Sequence, residues 1–351
     1  MALHEIARRV PGRITAYYLK IWLEDEVSFL GECPWEEDLR YAREVCAAAQ
    51  VPLEVIPLQE EYYQRVVGYT LAELRAGRTP SPDIFCNQRV KFGAFLEAIH
   101  QEADRVVTGH YARVQRSSDG DQARLMMAPD PVKDQTYFLS HLTQEQLRRA
   151  EFPLGGFNKD EVRARARELQ LSNRDRPDSQ GICFLGRIRY RDFVRHYLGE
   201  REGPILEYET GRELGRHGGA WFYTIGQRQG LGLGNGPWYV THRDIESNVV
   251  TVSHSSRVSE RARDTFEIGE ITAIADDPEL WYASSTLKLK LRHGPDLIAC
   301  SLERSSRGFR VRMDRSDRGV APGQFAVLYD PPECLGAGKI LAPEDTPEDT
   351  R

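Results

Sequence analysis

Cys86 stands in the stretch "TPSPDIFCNQRVKFGAF" (79–95), between a turn and a run with helical apolar spacing. Phe92, Phe95, Leu96 and Ile99 fall on one face, so a helix is expected from about Asn87 to Glu102. That reading puts Cys86 at a helix N-terminus, where unpaired amides and the helix dipole favour a thiolate. Arg89 and Lys91 push the same way from the first turn. Asp83, three residues earlier, has the chemistry either to cap the turn or to move a proton. Taken alone, the same residues also suit a half-buried thiol packed under a loop. A second thiol, Cys183, lies in "RPDSQGICFLG" (176–186). Asp178, Ser179 and Gly181 make that a turn-rich loop, accessible and able to move, which suits a sulfur that swings between partners. A loop cysteine folded inward reads the same way.

The other cysteines, Cys33, Cys46, Cys300 and Cys334, have no such context and read as small buried hydrophobes. No Cys-x-x-Cys pair occurs, which argues against a zinc ribbon. Two chemistry-bearing cysteines are short of an iron–sulfur ligand set, so no bound metal is expected.

These thiols need elements to hold them. Residues 3–10 have a helical apolar period and end at Pro11-Gly12. Residues 14–22 read as a buried strand, 35–50 as a helix, 52–58 as a strand and 60–76 as a helix ending at Gly77. "DRVVTGHYARV" (104–114) reads as strand, turn, strand. This alternation predicts a parallel α/β sheet over residues 1 to about 140. Two helices follow, the second capped by Asn158 with Glu161 completing a capping box. After residue 200 glycine becomes frequent and short β-branched and aromatic runs alternate with turns, predicting small all-β modules to about residue 341. The tail "PEDTPEDTR" is expected to be disordered.

The bulk numbers set bounds. The chain has 351 residues, 40% hydrophobic and 28% charged, with a formal net charge of −6. It is long enough for two or three cores. No run is long and apolar enough for a bilayer, and the first twenty residues lack a secretory pattern, so a cytoplasmic protein without membrane partners is expected. Charge is unevenly spread: residues 21–63 sum to −9 and residues 288–318 to +5. The basic segment suits either a phosphate-binding face or a solvated strand surface.

The ordered set "PSPDIFCN", "TGHYARV", "DPVKDQTYFL", "RPDSQGICFLG", "YTIGQRQGLG" and "APGQFAVLYD" resembles the tRNA-specific 2-thiouridylases from Tyr17 onward. The resemblance implies an α/β parallel-sheet catalytic domain of the adenine-nucleotide-hydrolase-like (PP-loop) type over 1–195, with a helical tRNA-binding part. It further implies a small β-rich domain over 196–260, a β-barrel over 261–342 and a tail from 343. The implied reaction is ATP-dependent 2-thiolation of the wobble uridine, position 34, of tRNA. Cys86 is implied as nucleophile, Cys183 as persulfide carrier with a Cys86–Cys183 disulfide as a resolved state, and Asp83 as acid/base. Ser81, Pro82 and Asp83 would contact the target base, with Ser81 standing where the family has asparagine. His110, Lys133, Asp134, Gln135, Arg292, His293 and Gln324 would contact tRNA. Leu19 and Gly109 would approach ATP, with Mg2+ accompanying it. The implied partners are tRNA and a persulfide donor, a cysteine desulfurase or relay protein, acting on a monomer.

Family members open with a strand, a "SGGVDSS" phosphate loop and a helix. No such motif occurs in these 351 residues, and "LHEIARRV" falls in register with the tail of that helix. Two expectations follow: a longer protein whose upstream part carries the loop, with a mitochondrial or chloroplast address possible there, or a tRNA-binding homologue that lacks the activation chemistry. In either case the parallel sheet is expected to lack its first strand.

Overall fold

The computed structural model describes residues 1–21, 35–100, 102–176, 189–274, 278–281 and 284–343. Cys33 and the whole of the Asp178–Cys183 loop lie outside them.

Helix α1 (Ala2–Arg9) leads to strand β1 (Ala16–Lys20). Helix α2 (Trp35–Ala48) then precedes β2 (Leu53–Pro57), which pairs parallel to β1 from Ala16 opposite Leu53 to Lys20 opposite Pro57. Parallel pairing needs such a crossover. A helical run over 59–75, here α3, is wound as Gln59–Tyr62, a π-turn Tyr63–Val67, and Gly68–Arg75. A second run over 82–98, α4, is wound as Pro82–Phe85, a π-stretch Cys86–Ala94, and Phe95–Ala98. Strand β3 (Val106–Val107) pairs parallel with β6 (Ala150–Glu151). Among the described residues β1 and β2 form one two-stranded sheet and β3 and β6 another.

Between β3 and β6 the chain leaves this region. The hairpin β4 (Ala112–Arg116) and β5 (Ala123–Met127) reaches out to the C-terminal part, where Leu125 lies opposite Cys334 and Met126 opposite Glu333. Short helices α5 (Thr136–Leu139) and α6 (Gln144–Arg149) bring it back, followed by α7 (Lys159–Glu168) and α8 (Tyr190–Leu198). Asn158 and Glu161 make the expected capping box at α7, and Thr143 with Gln146 makes a second one at α6.

A four-stranded sheet follows in the order β8 (Glu213–His217), β7 (Gly203–Glu207), β10 (Val249–His254), β9 (Trp238–Asp244). Its core is Ile205, Trp238, Val240, Val250 and Val252. The last region closes into a barrel. Its strands run β11 (Arg263–Ala273), β14 (Gly308–Asp317), β13 (Ile298–Ser305), β12 (Lys288–Lys290), β15 (Phe325–Asp330) and β16 (Glu333–Ile340), and β16 returns to β11. Leu289, Leu302, Val311, Leu328 and Ile268 fill it. The α/β and β-barrel architecture expected from the sequence is present.

The basic strand surface is partly spent. Arg307 and Arg310 lie 3.6 Å from Glu267, and Arg304 lies 3.0 Å from Glu270, both carboxylates on the neighbouring strand β11. Arg312, Arg315 and Arg318 are exposed and, among the described residues, have no carboxylate in ion-pair reach.

Candidate active site

The segment carrying Cys86 starts its helix earlier than the apolar period predicts. The helix begins at Pro82, with Ser81 before it, not at Asn87. Proline at the first helical position has its φ already set and lacks only an amide that would be unpaired there anyway. Cys86 therefore sits in the second turn and is 1% exposed. Dipole stabilisation fades beyond the first turn, so the N-terminal argument for its thiolate does not hold in this fold. Arg89 is likewise no longer in the first turn; its guanidinium lies over the Phe85 ring at 3.9 Å. Asp83 and Cys86 are three residues apart on one helix and so share a face. The π-winding opens at Cys86, and such windings are common where a helix must aim a functional side chain.

Asn87, which the sequence reading passed over, ties this helix down. Its Nδ2 donates to the Asp83 and Phe138 carbonyls, each at 3.1 Å. Its Oδ1 is buried with no partner among the described residues.

Ser81, Pro82 and Asp83 form one wall of a cavity of about 300 Å³. Tyr137 and Phe138 of α5 continue it, Tyr190, Trp221 and Phe222 supply an aromatic side, and Arg292, His293 and Gln324 arrive from the barrel. The structure thus joins three regions at one pocket, at the small end of ligand sites (~300–1,000 Å³). Phe138 and His293 stack, with centroids 4.8 Å apart and planes 18° apart. Burial, then the charge of Lys290, holds the His293 imidazole below its ordinary pKa, so it is neutral at neutral pH. Arg292 forks onto Asp317 at 3.0 and 2.7 Å, an arrangement that raises the guanidinium pKa.

Gln324 is set by the turn before it. Gly323 has φ +94°, and a Cβ there would lie 2.7 Å from Arg78 Cβ and 2.8 Å from the Thr79 carbonyl oxygen. Thr79 N–H donates to the Pro322 carbonyl at 2.8 Å, so barrel turn and pocket loop are bonded directly. Nearby, Glu73 accepts Arg78 at 2.9 Å and Lys339 at 2.7 Å, a second link from the helical region to the barrel. Gly323→Ala is expected to destabilise the protein by about 1–3 kcal/mol in urea unfolding, because both crowding and a left-handed backbone oppose it.

The remaining expected residues lie elsewhere. Asp134 is fully buried: its carboxylate accepts the Ala128 amide (3.1 Å), Thr136 Oγ1 (2.8 Å) and Lys290 Nζ (2.9 Å). Its side chain is consumed in the interior and has no face turned to a ligand. Lys133 and Gln135 flank it half-buried, and Gln135 Oε1 accepts the Tyr111 amide at 2.9 Å. His110 does not line the pocket; its Nδ1 is 2.7 Å from Thr108 Oγ1. Dense burial, then the Lys91 charge, pushes its pKa well down. Leu19 and Gly109 sit at and just past the carboxyl ends of the parallel strands β1 and β3, where α/β sheets place nucleotides. A Cβ on Gly109 would meet only ordinary contacts, the nearest at 3.9 Å, so no close cradle is built there. The adenine side of a nucleotide fits these strand ends. Among the described residues no group of three or more His, Cys, Asp or Glu is placed to hold a metal. No helix there is long and apolar enough to cross a membrane.

Comparison with known proteins bears on the whole chain. Residues 1–187 match the family described as "tRNA methyl transferase HUP domain", 191–254 the "tRNA methyl transferase PRC-barrel domain", and 263–340 the "Aminomethyltransferase beta-barrel domain". A Bacteroides fragilis protein named tRNA-specific 2-thiouridylase MnmA 2 is 40% identical over 93% of this chain and 92% of its own length. One from Parabacteroides distasonis, named tRNA-specific 2-thiouridylase MnmA, is 41% identical over 93% and 91%. A Porphyromonas gingivalis protein of the same name is 41% identical over 92% and 91%. With all three regions matched and relatives about 40% identical over most of its length, this chain belongs to the tRNA-specific 2-thiouridylase family.

Proposed function

We propose that this protein is a tRNA uridine 2-sulfurtransferase that exchanges the C2 oxygen of the wobble uridine for sulfur. The observation that carries the reading is the single pocket where Ser81, Pro82 and Asp83 meet Arg292, His293 and Gln324, with Cys86 one helical turn beyond Asp83. A uridine taken out of its stack needs an aromatic surface and a few polar edges. The Phe138–His293 stack and the Trp221–Phe222 side offer the first, and Ser81, Asp83 and Gln324 the second. Serine in place of asparagine leaves one hydroxyl to read the base edge.

Asp83 moves the proton at the base. The Cys183 persulfide delivers its outer sulfur to C2. The Cys86 thiolate takes the inner Cys183 sulfur as the S–S bond breaks, leaving a disulfide for a reductant to reopen. ATP, with Mg2+, supplies the activation that makes the C2 oxygen a leaving group, and Leu19 and Gly109 would border its adenine. The domain families carry methyl-transfer names, whereas the relatives are named for thiolation; a cysteine one helical turn from pocket-lining Asp83 favours sulfur. The donor is a protein persulfide of the desulfurase or relay class.

The test is direct. The chain is incubated with unmodified tRNA, ATP, Mg2+ and a persulfide-generating desulfurase, and the digested nucleosides are weighed by mass spectrometry. Appearance of 2-thiouridine supports the reading. Tight tRNA binding without product would favour a second reading, a tRNA-binding homologue. For tRNA binding itself, replacing Arg312, Arg315 and Arg318 together by alanine should make the slope of log affinity against log salt shallower by about two. Filter binding across a salt series reads this, and an unchanged slope would remove that strand from the RNA face.

A further inference from the structure

We infer that Arg243 is a positioning residue that fixes the 77–83 loop, and through it Ser81 and Asp83, from the middle four-stranded sheet. Only the kinetic arm of the test below rests on the proposed function. Arg243 stands near the end of β9 and is 8% exposed. Its guanidinium donates to the Tyr223 carbonyl, to the Gly77 carbonyl at 3.2 Å and to Thr79 Oγ1 at 3.1 Å. No carboxylate lies within ion-pair reach among the described residues. Burial pulls its pKa down to about 10, so it stays charged at neutral pH, held by carbonyl and hydroxyl dipoles. A buried charge held this way is costly, and a planar fork with fixed donor directions suits orienting three acceptors at once.

Two of its acceptors belong to the pocket loop and one to the 220–224 turn, whose Trp221, Phe222 and Thr224 line the same cavity. Gly77 is also in contact with the middle sheet, since a Cβ there would lie 3.2 Å from Ile245 Cγ1. The barrel holds the loop from the other side through Pro322 and Gly323. Arg243 is thus the bolt by which the middle sheet sets the distance between the aromatic side of the pocket and Asp83.

Hydrogen exchange on the full chain tests this. In Arg243→Met, amides of 77–83 should exchange about ten- to a hundredfold faster, the worth of a lost charged hydrogen bond, while Val250 and Val252 of β10 stay protected. Arg243→Lys should recover part of the protection, and Thr79→Val should show part of the loss. In thiolation assays, kcat should fall in the same order with KM for tRNA held. Unchanged protection at 77–83 in Arg243→Met would overturn the inference. So would equally faster exchange throughout the middle sheet, which marks a purely structural arginine. If the wild-type chain makes no 2-thiouridine, the proposed function fails, and exchange decides the clamp by itself.

Discussion

Cys86→Ser is expected to lower 2-thiouridine formation by about three orders of magnitude or more while tRNA affinity is unchanged. The side chain is 1% exposed and lies in the main apolar core, so it makes no broad surface for RNA. In the proposed mechanism its contribution is the sulfur. A serine hydroxyl is nearly the same size but is a weak nucleophile toward an S–S bond, so the step that frees the transferred sulfur stalls. Single-turnover assays on tRNA, paired with filter binding, separate the two effects. A serine enzyme with near-normal rate would remove Cys86 from the chemistry. Cys86→Ala serves as the control for packing: it should lose the rate equally, and without a buried hydroxyl to satisfy.

The second large effect is on stability. Asp134→Asn should cost about 3–5 kcal/mol in denaturant unfolding. Both partners of the Asp134–Lys290 pair are 0% exposed, 156 residues apart in sequence. Asparagine keeps an acceptor for Ala128 but leaves the Lys290 ammonium buried without an anion. The pair also anchors the segment that continues to Arg292 and His293, so loosening it should spread the Phe138–His293 stack. The double substitution Asp134→Asn with Lys290→Met should regain most of the loss, because it keeps an acceptor for the Ala128 amide and removes the buried, unpaired charge. A single Asp134→Asn variant of wild-type stability would show that the pair is not what holds the barrel to the turn.

Signals that travel only a few residues were legible in the sequence. The Asn158–Glu161 box, α2, and β1 with β2 all follow from local period and caps. The start of α4 was misplaced because "TPSPD" reads as a turn, while Pro82 was already the first helical residue. The grouping of Ser81, Pro82 and Asp83 with Arg292, His293 and Gln324 came from resemblance, since nothing local links residues more than two hundred apart. Asp134 looks like any polar turn residue until Lys290 is placed against it. Arg243 looks like a solvated strand arginine, and only the packing of β9 against Gly77 and Thr79 reveals otherwise. The glycine-rich texture after residue 200 marked short strands but not the aromatic side of a pocket.

The hairpin β4–β5 has its outer edge completed by β16, some two hundred residues later. On a ribosome adding about 5–20 residues per second, Leu125 and Met126 wait about 10–40 s for that neighbour. For that interval the nascent chain presents an unpaired, apolar strand edge. The protein should therefore depend on holding chaperones during synthesis, and slowing translation between the hairpin and the last strand should lower its soluble yield.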